Sequence, residues 1–158
     1  MGAPKSVVKV NKNGVTYESN VDACNYYLFE LTRAALRDVG KYVKRKWKEK
    51  YYQTFHKRSG KGPKALFLKV YSSKNTQYPR LELGLPHAHI GKNVEGFYSF
   101  FQELGTSRQK RLHLLTSCVE ENIATIVEIE SKYLSALEDE AAALKLIDET
   151  EYEEDGDE

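Results

Sequence analysis

Hydrophobic and polar positions alternate along this chain with two different periods. From about Asp22 to Thr54, the apolar residues Leu28, Leu31, Ala35, Val39, Tyr42 or Val43, and Trp47 recur at spacings of three and four. That spacing predicts an amphipathic helix with one buried stripe, on the order of 45 Å long. The period drops to two over Ala65 to Ser72, where Leu66, Leu68 and Val70 alternate with Phe67, Lys69 and Tyr71. It stays at two over Tyr78 to Leu85, where Leu81, Leu83 and Leu85 alternate with Glu82 and Gly84. These are two strands joined through Ser73 to Gln77. One face covers helices; the other, with Lys69 and Glu82, meets solvent or a neighbour. Burying each Leu or Val contributes roughly 1.5 to 3 kcal/mol, enough to fix the register.

Helical spacing returns at Leu115 and runs through Val119, Ile123, Ile126, Ile129, Tyr133 and Leu137, with Glu120, Glu121, Glu128 and Lys132 off that stripe. Ala141, Leu144 and Ile147 extend it, so one long final helix is expected. Before the first helix, Val7, Val8 and Val10 and then Val15-Thr16-Tyr17 flank Asn13-Gly14, a hairpin-turn signal. This segment is a short hairpin or an extended arm. It pairs with a sheet edge of its own domain or of a neighbour.

The segment from Phe97 to Asn122 belongs to neither period. An aromatic run of Phe97, Tyr98, Phe100 and Phe101 breaks at Gly105-Thr106-Ser107, crosses a basic bend and leads into the last helix. An element, a turn and a helix start are expected here. Gly105 would take a positive φ, with Thr106 or Ser107 capping the next segment.

Composition narrows the class. With 158 residues, 41% hydrophobic and 30% charged, the chain suits one domain with tails. There is no apolar run of about 18 residues and no charged-then-apolar leader, so a soluble protein made in the cytoplasm is expected, with no membrane partner. The near-zero net charge hides a separation. Residues 1–80 hold 18 Lys+Arg against 5 Asp+Glu, or +13, whereas 81–158 hold 6 against 18, or −12. Such an asymmetry serves neighbouring subunits, nucleic acid, or solubility alone.

Basic residues concentrate in two places. Arg33, Arg37, Lys41, Lys44 and Lys48 form a stripe on the first helix, either a solvated face or a surface that meets nucleic-acid phosphates through counterion release. The loop from His56 to Lys64 adds Lys57, Arg58, Lys61 and Lys64. Its Gly60-Lys61 is followed by Gly62 and then by a strand, so it is not a Walker loop and nucleotide hydrolysis is not expected.

Other chemistry finds little support. His87 and His89 could share a metal, but His56 and His113 are the only other histidines and no carboxylate or cysteine cluster accompanies them. Loop histidines, no metal and no cofactor are expected. Cys24 and Cys118 lie far apart within expected helices, so buried reduced thiols are the default, with a disulfide second. No paired-carboxylate cluster or nucleophile with an identifiable base suggests a hydrolase or nuclease. Asp148 to Glu158 carries eight acidic residues in eleven and is expected to be disordered, either solvating the chain or docking on a basic surface.

The segment Tyr98, Phe101, Glu103-Leu104-Gly105-Thr106-Ser107, Arg108 to Arg111, Leu114-Leu115 and Cys118-Val119-Glu120-Glu121-Asn122 resembles the tail-completion, or head-tail joining, proteins of tailed bacteriophages. The likeness is strongest over about a sixth of the chain, and the family usually has prolines where this chain has His113 and Ser117. The order of elements from about Asp22 to Leu137 is also similar to that family. What the resemblance implies is an α+β fold, with two long helices packed on one face of a small antiparallel sheet. The arm would span 1–20, the domain 21–147 and the acidic tail 148–158.

The resemblance further implies a non-enzymatic virion protein of the neck or tail. It would form a homo-oligomeric ring, a hexamer being one candidate size, beside other neck and tail proteins, with double-stranded DNA passing non-specifically through the lumen. Tyr98, Phe101, Glu103, Gly105, Thr106 and Ser107 would shape the assembly turn, and the basic stripe would face DNA. The alternative is a small stand-alone duplex-binding module that uses the basic helix.

Overall fold

The computed structural model describes residues 8–55, 61–72, 78–85 and 98–152. Strands β1 (Val8–Lys12) and β2 (Val15–Ser19) form an antiparallel hairpin, with Val10 opposite Tyr17 and Lys12 opposite Val15. The expected turn residues Asn13 and Gly14 both take positive φ, at 55° and 80°, the combination that matches strand twist across a two-residue loop. Helix α1 (Val21–Thr54) follows after the single residue Asn20. Its 34 residues make a rod of about 50 Å. It stops where Phe55 turns extended while its N–H donates to the Tyr51 carbonyl at 2.9 Å.

After α2 (Lys61–Lys64), a single turn, strands β3 (Phe67–Tyr71) and β4 (Arg80–Gly84) make a second antiparallel pair. The register sets Leu68 against Leu83 and Val70 against Leu81 on one face, and Lys69 against Glu82 on the other. The apolar face lies on α1, as the period-two pattern predicts. The closest approach is at Gly40. A Cβ there would stand 2.4 Å from Leu68 Cδ1 and 3.1 Å from Leu81 Cδ1, so a side-chain-free position lets helix and sheet meet.

Helix α3 (Tyr98–Leu104) leads through a tight turn into α4 (Leu114–Glu121), α5 (Ile123–Ser135), a 3₁₀ turn (Ala136–Glu138) and α6 (Glu140–Tyr152). The α+β class stands. The single long C-terminal helix expected from its stripe is instead a broken series that packs along α1. The first break is at Asn122, whose side-chain amide donates to the Cys118 carbonyl at 2.8 Å while its Oδ1 accepts from Tyr42 Oη at 2.8 Å. A side chain that bonds the backbone one turn back competes with the helical ladder there. The second break precedes Asp139, whose carboxylate accepts from Ala141 N–H at 3.0 Å and so caps α6. As a result Ile123 and Leu137, both expected on the buried stripe, are 54% and 41% exposed. Helix α6 runs to Tyr152, into the stretch expected to be disordered; residues 153–158 lie outside those described.

Two apolar clusters flank α1. Towards its N-terminal half, Leu31, Ala34 and Ala35 pack with Tyr133, Ala143 and Ile147. Towards its C-terminal half, Trp47 packs with Leu66, Leu114 and Cys118, supported by Tyr51, Phe55 and Leu115. Cys118 is buried as expected, and burial raises its thiol pKa. Cys24 corrects the other half of that expectation: one turn into α1, it is exposed.

Candidate functional site

The turn between α3 and α4 is a closed buckle built from the residues that carry the sequence motif. Helix α3 ends when Gly105 adopts φ 76° and donates its N–H to the Phe101 carbonyl at 2.7 Å, the left-handed exit that favours glycine. Thr106 and Gln109 then exchange backbone hydrogen bonds of 2.9 and 3.3 Å. Thr106 Oγ1 also accepts from the Arg108 and Gln109 N–H groups. The chain then runs back beside the end of α3, where Leu112 N–H donates to the Gln102 carbonyl at 3.0 Å.

Glu103 fastens the second side of the buckle. It is 8% exposed, and its carboxylate accepts from Leu115 N–H at 2.9 Å, from Thr116 N–H at 3.1 Å and from Thr116 Oγ1 at 3.1 Å. Those amides open α4, and a carboxylate there satisfies donors with no intrahelical partner and faces the positive end of the helix dipole. The adjacent residue, His113, sits at φ 49° with no side-chain cap. The expectation that Thr106 or Ser107 caps the next segment is therefore corrected: Thr106 closes the turn, and Glu103 supplies the cap from twelve residues upstream.

The remaining motif residues divide by exposure. Tyr98 is 69% exposed at the start of α3, and Ser107 is exposed at the turn. Phe101 is half-buried, edge-on to Phe100 with ring centroids 5.7 Å apart. A Cβ on Gly105 would meet Arg111 Cγ at 2.7 Å and the backbone atoms Arg111 N and Gln109 O at 3.0 Å, so the buckle excludes side chains at this point.

The basic stripe on α1 differs from the expected continuous surface. Arg37 is buried at 8% exposure, and Arg33 pairs with Glu30 at 3.3 Å. Lys41, Lys44 and Lys48 are half-buried. Gly40, the point of contact with β3 and β4, lies three residues after Arg37 and four before Lys44, so the sheet sits on the same side of α1 as the middle of the stripe. In the second basic group, Lys64 is exposed, Lys61 opens α2, and Lys57 and Arg58 lie outside the described residues, as do His87 and His89.

A different grouping of cations forms beside α5. An open cleft of about 340 Å³ is lined by Asp38, Lys41, Tyr42, Arg45, Ile129, Lys132 and Tyr133. Arg45 is exposed and lies 5.5 Å from the centroid of the Tyr42 ring, while Tyr133 Oη donates to Asp38 Oδ2. Arg45 and Lys132 come from separate helices, and the one-helix stripe omitted both. The only sequence signal was the proximity of Arg45 to Lys41, four residues apart.

Among the described residues, no group of three or more His, Cys, Asp or Glu is placed to hold a metal ion, and no helix is long and apolar enough to cross a membrane. Compared with family models, curated protein sequences and solved structures, the chain matches none.

Proposed function

We propose that this chain is a non-enzymatic structural subunit of a tailed phage. It assembles as a ring at the head-tail junction or upper tail, joins or completes the tail, and lets double-stranded DNA pass. The observation that carries the reading is the buckle. Gly105 provides a backbone conformation, Thr106 closes a turn and Glu103 caps a helix, so the residues of the resembling motif hold a shaped surface element. A building block needs that kind of element.

Surface character supports the same reading. Val10, Val15, Tyr17, Tyr98, Leu134 and Leu137 are all more than two-fifths exposed, which suits a subunit that buries them against neighbours. Lys41, Arg45 and Lys132 offer phosphate contacts without an element to read base edges, as a conduit requires.

The test is an early stop codon in the gene within the phage that carries it, with electron microscopy of the lysate. DNA-filled heads beside unattached tails are expected. A copy carrying Gly105→Val should fail to restore infectious particles, because valine strains at φ 76° and meets backbone at 3.0 Å. Normal virions in both cases would remove the proposal. The three-cation cleft would then favour a stand-alone duplex-binding module. That reading requires duplex affinity of the purified chain to fall with salt at a log–log slope of roughly −2 to −3, as about three phosphate contacts predict.

A further inference from the structure

The β1–β2 hairpin presents an apolar face that nothing else among the described residues covers. The register places Val10, Lys12, Val15 and Tyr17 together on one side, with Asn11, Thr16 and Glu18 on the other. Val10 is 49%, Val15 69% and Tyr17 59% exposed. A lone two-stranded hairpin is marginally stable in water, so a ribbon with this division of residues needs a surface to lie on. Asn20 alone connects it to α1, and the exposure of Val10, Val15 and Tyr17 shows that this face is not laid back along the helix.

A surface of matching chemistry lies elsewhere on the chain. Between α1 and α5, Leu28, Ala35, Leu36, Leu134 and Leu137 line an open apolar groove rimmed by Glu130. Leu28, Leu134 and Leu137 are 43%, 60% and 41% exposed. Glu138, Asp139 and Glu140 follow directly after Leu137.

We infer that the hairpin of one copy seats in the α1–α5 groove of a second copy, Val10, Val15 and Tyr17 covering the leucines and Lys12 meeting the acidic rim. Charge selects a second copy as the occupant. Lys12 lies beside Val15 on the apolar face of the hairpin, and the α5 side of the groove carries Glu130, with Glu138, Asp139 and Glu140 following Leu137. Arm and groove are different patches of one subunit, so the contact is head-to-tail. Repeated, it closes into a ring when the rotation between copies allows. The inference deepens the ring reading by naming its subunit contact, and its test does not use the phage.

The experiment is sedimentation of the full chain over a concentration series, alongside Tyr17→Asp and Leu134→Glu. Both positions are exposed, so circular dichroism should show the fold retained. Wild type should self-associate with increasing concentration, and each variant should associate at least tenfold more weakly. The decisive sample is the equimolar mixture. One partner then contributes an intact hairpin and the other an intact groove, so heterodimers should form and growth should stop there. A wild type that stays monomeric at every concentration, variants that assemble like wild type, or a mixture that stays monomeric would overturn the inference. Arm-dependent assembly alongside normal virions from the stop-codon phage would keep this contact and discard only the neck assignment.

Discussion

Removing the Glu103 carboxylate tests whether the buckle is held from the α3 side. Glu103→Ala deletes three hydrogen bonds, at 2.9, 3.1 and 3.1 Å, from the first turn of α4. Losing a helix cap costs about 0.5 to 2 kcal/mol, and losing a negative charge at the helix N-terminus adds about 0.3 to 1. Thr116 is exposed and regains water, whereas Leu115 is half-buried and its N–H is harder to rehydrate. The expected total is therefore roughly 2 to 3 kcal/mol. For a chain of this size that lowers Tm by about 5 to 10 °C.

Trp47 makes the measurement straightforward. It is the only tryptophan, 1% exposed, and it packs against Leu114 and Cys118 of α4, so its emission reports on the end of the molecule that Glu103 fastens. Glu103→Gln keeps the shape and one acceptor oxygen while losing the charge, and should give about half the loss. A Glu103→Ala protein that melts within about 1 °C of wild type would show that the carboxylate contributes no net stability, and the argument from capping would be wrong.

Gly40→Ala gains about 1 kcal/mol of helix propensity but puts a methyl 2.4 Å from Leu68 Cδ1; the overpacking should win by about 1 kcal/mol in urea melts, and adding Leu68→Ala should remove the clash component. Tyr27 donates to Glu140 at 2.5 Å, and that bond, with burial and the nearby Glu140 charge, pushes its pKa up from 10 to about 12. Because the folded state holds this proton more tightly, the contact's stabilisation is fully present below pH 10 and lost as pH rises towards 12, a component that Tyr27→Phe should lack in alkaline melts. A thiol reagent should label one cysteine at once, Cys24, and reach Cys118 only on unfolding; prompt labelling of both would contradict the packing around Trp47. Leu31 and Trp47 are sixteen residues apart on α1, about 24 Å, so Glu103→Ala and Tyr27→Phe should add within about 0.5 kcal/mol.

The elements that could be read from the chain were those whose signal is local. Asn13-Gly14, the three-and-four spacing of Leu28 to Trp47 and the alternation at Leu66 to Val70 each depend on neighbours a few residues away, and the hairpin, α1 and β3 stand close to their expected bounds. The breaks in the last helix were hidden because an apolar stripe survives a kink. Asn122 was the clue, since its amide can bond backwards, but its partner Tyr42 is eighty residues away. Glu103 was noticed as part of a motif, yet its capping role could not be read, because capping rules look to the residue before a helix and find His113. Periodicity also gave the basic stripe its face without saying what covers that face. Gly40, between Arg37 and Lys44, carried that information as the place where a sheet could approach.

The long helix explains why the candidate assembly surfaces are separate. One rod of 34 residues spans two small cores that share no buried residue. The hairpin and the apolar groove lie at the Leu31 end, and the buckle stands over the Trp47 end through Leu112, Leu114 and Leu115. A side chain at either end can be changed without repacking the other, because the rod holds their spacing and each core is anchored to α1 independently. Under the proposed ring reading, the Leu31 end serves the copy-to-copy contact and leaves the buckle at the Trp47 end for a dissimilar neighbour. The two proposed contacts can therefore be adjusted separately, as the proposed ring between dissimilar neighbours requires.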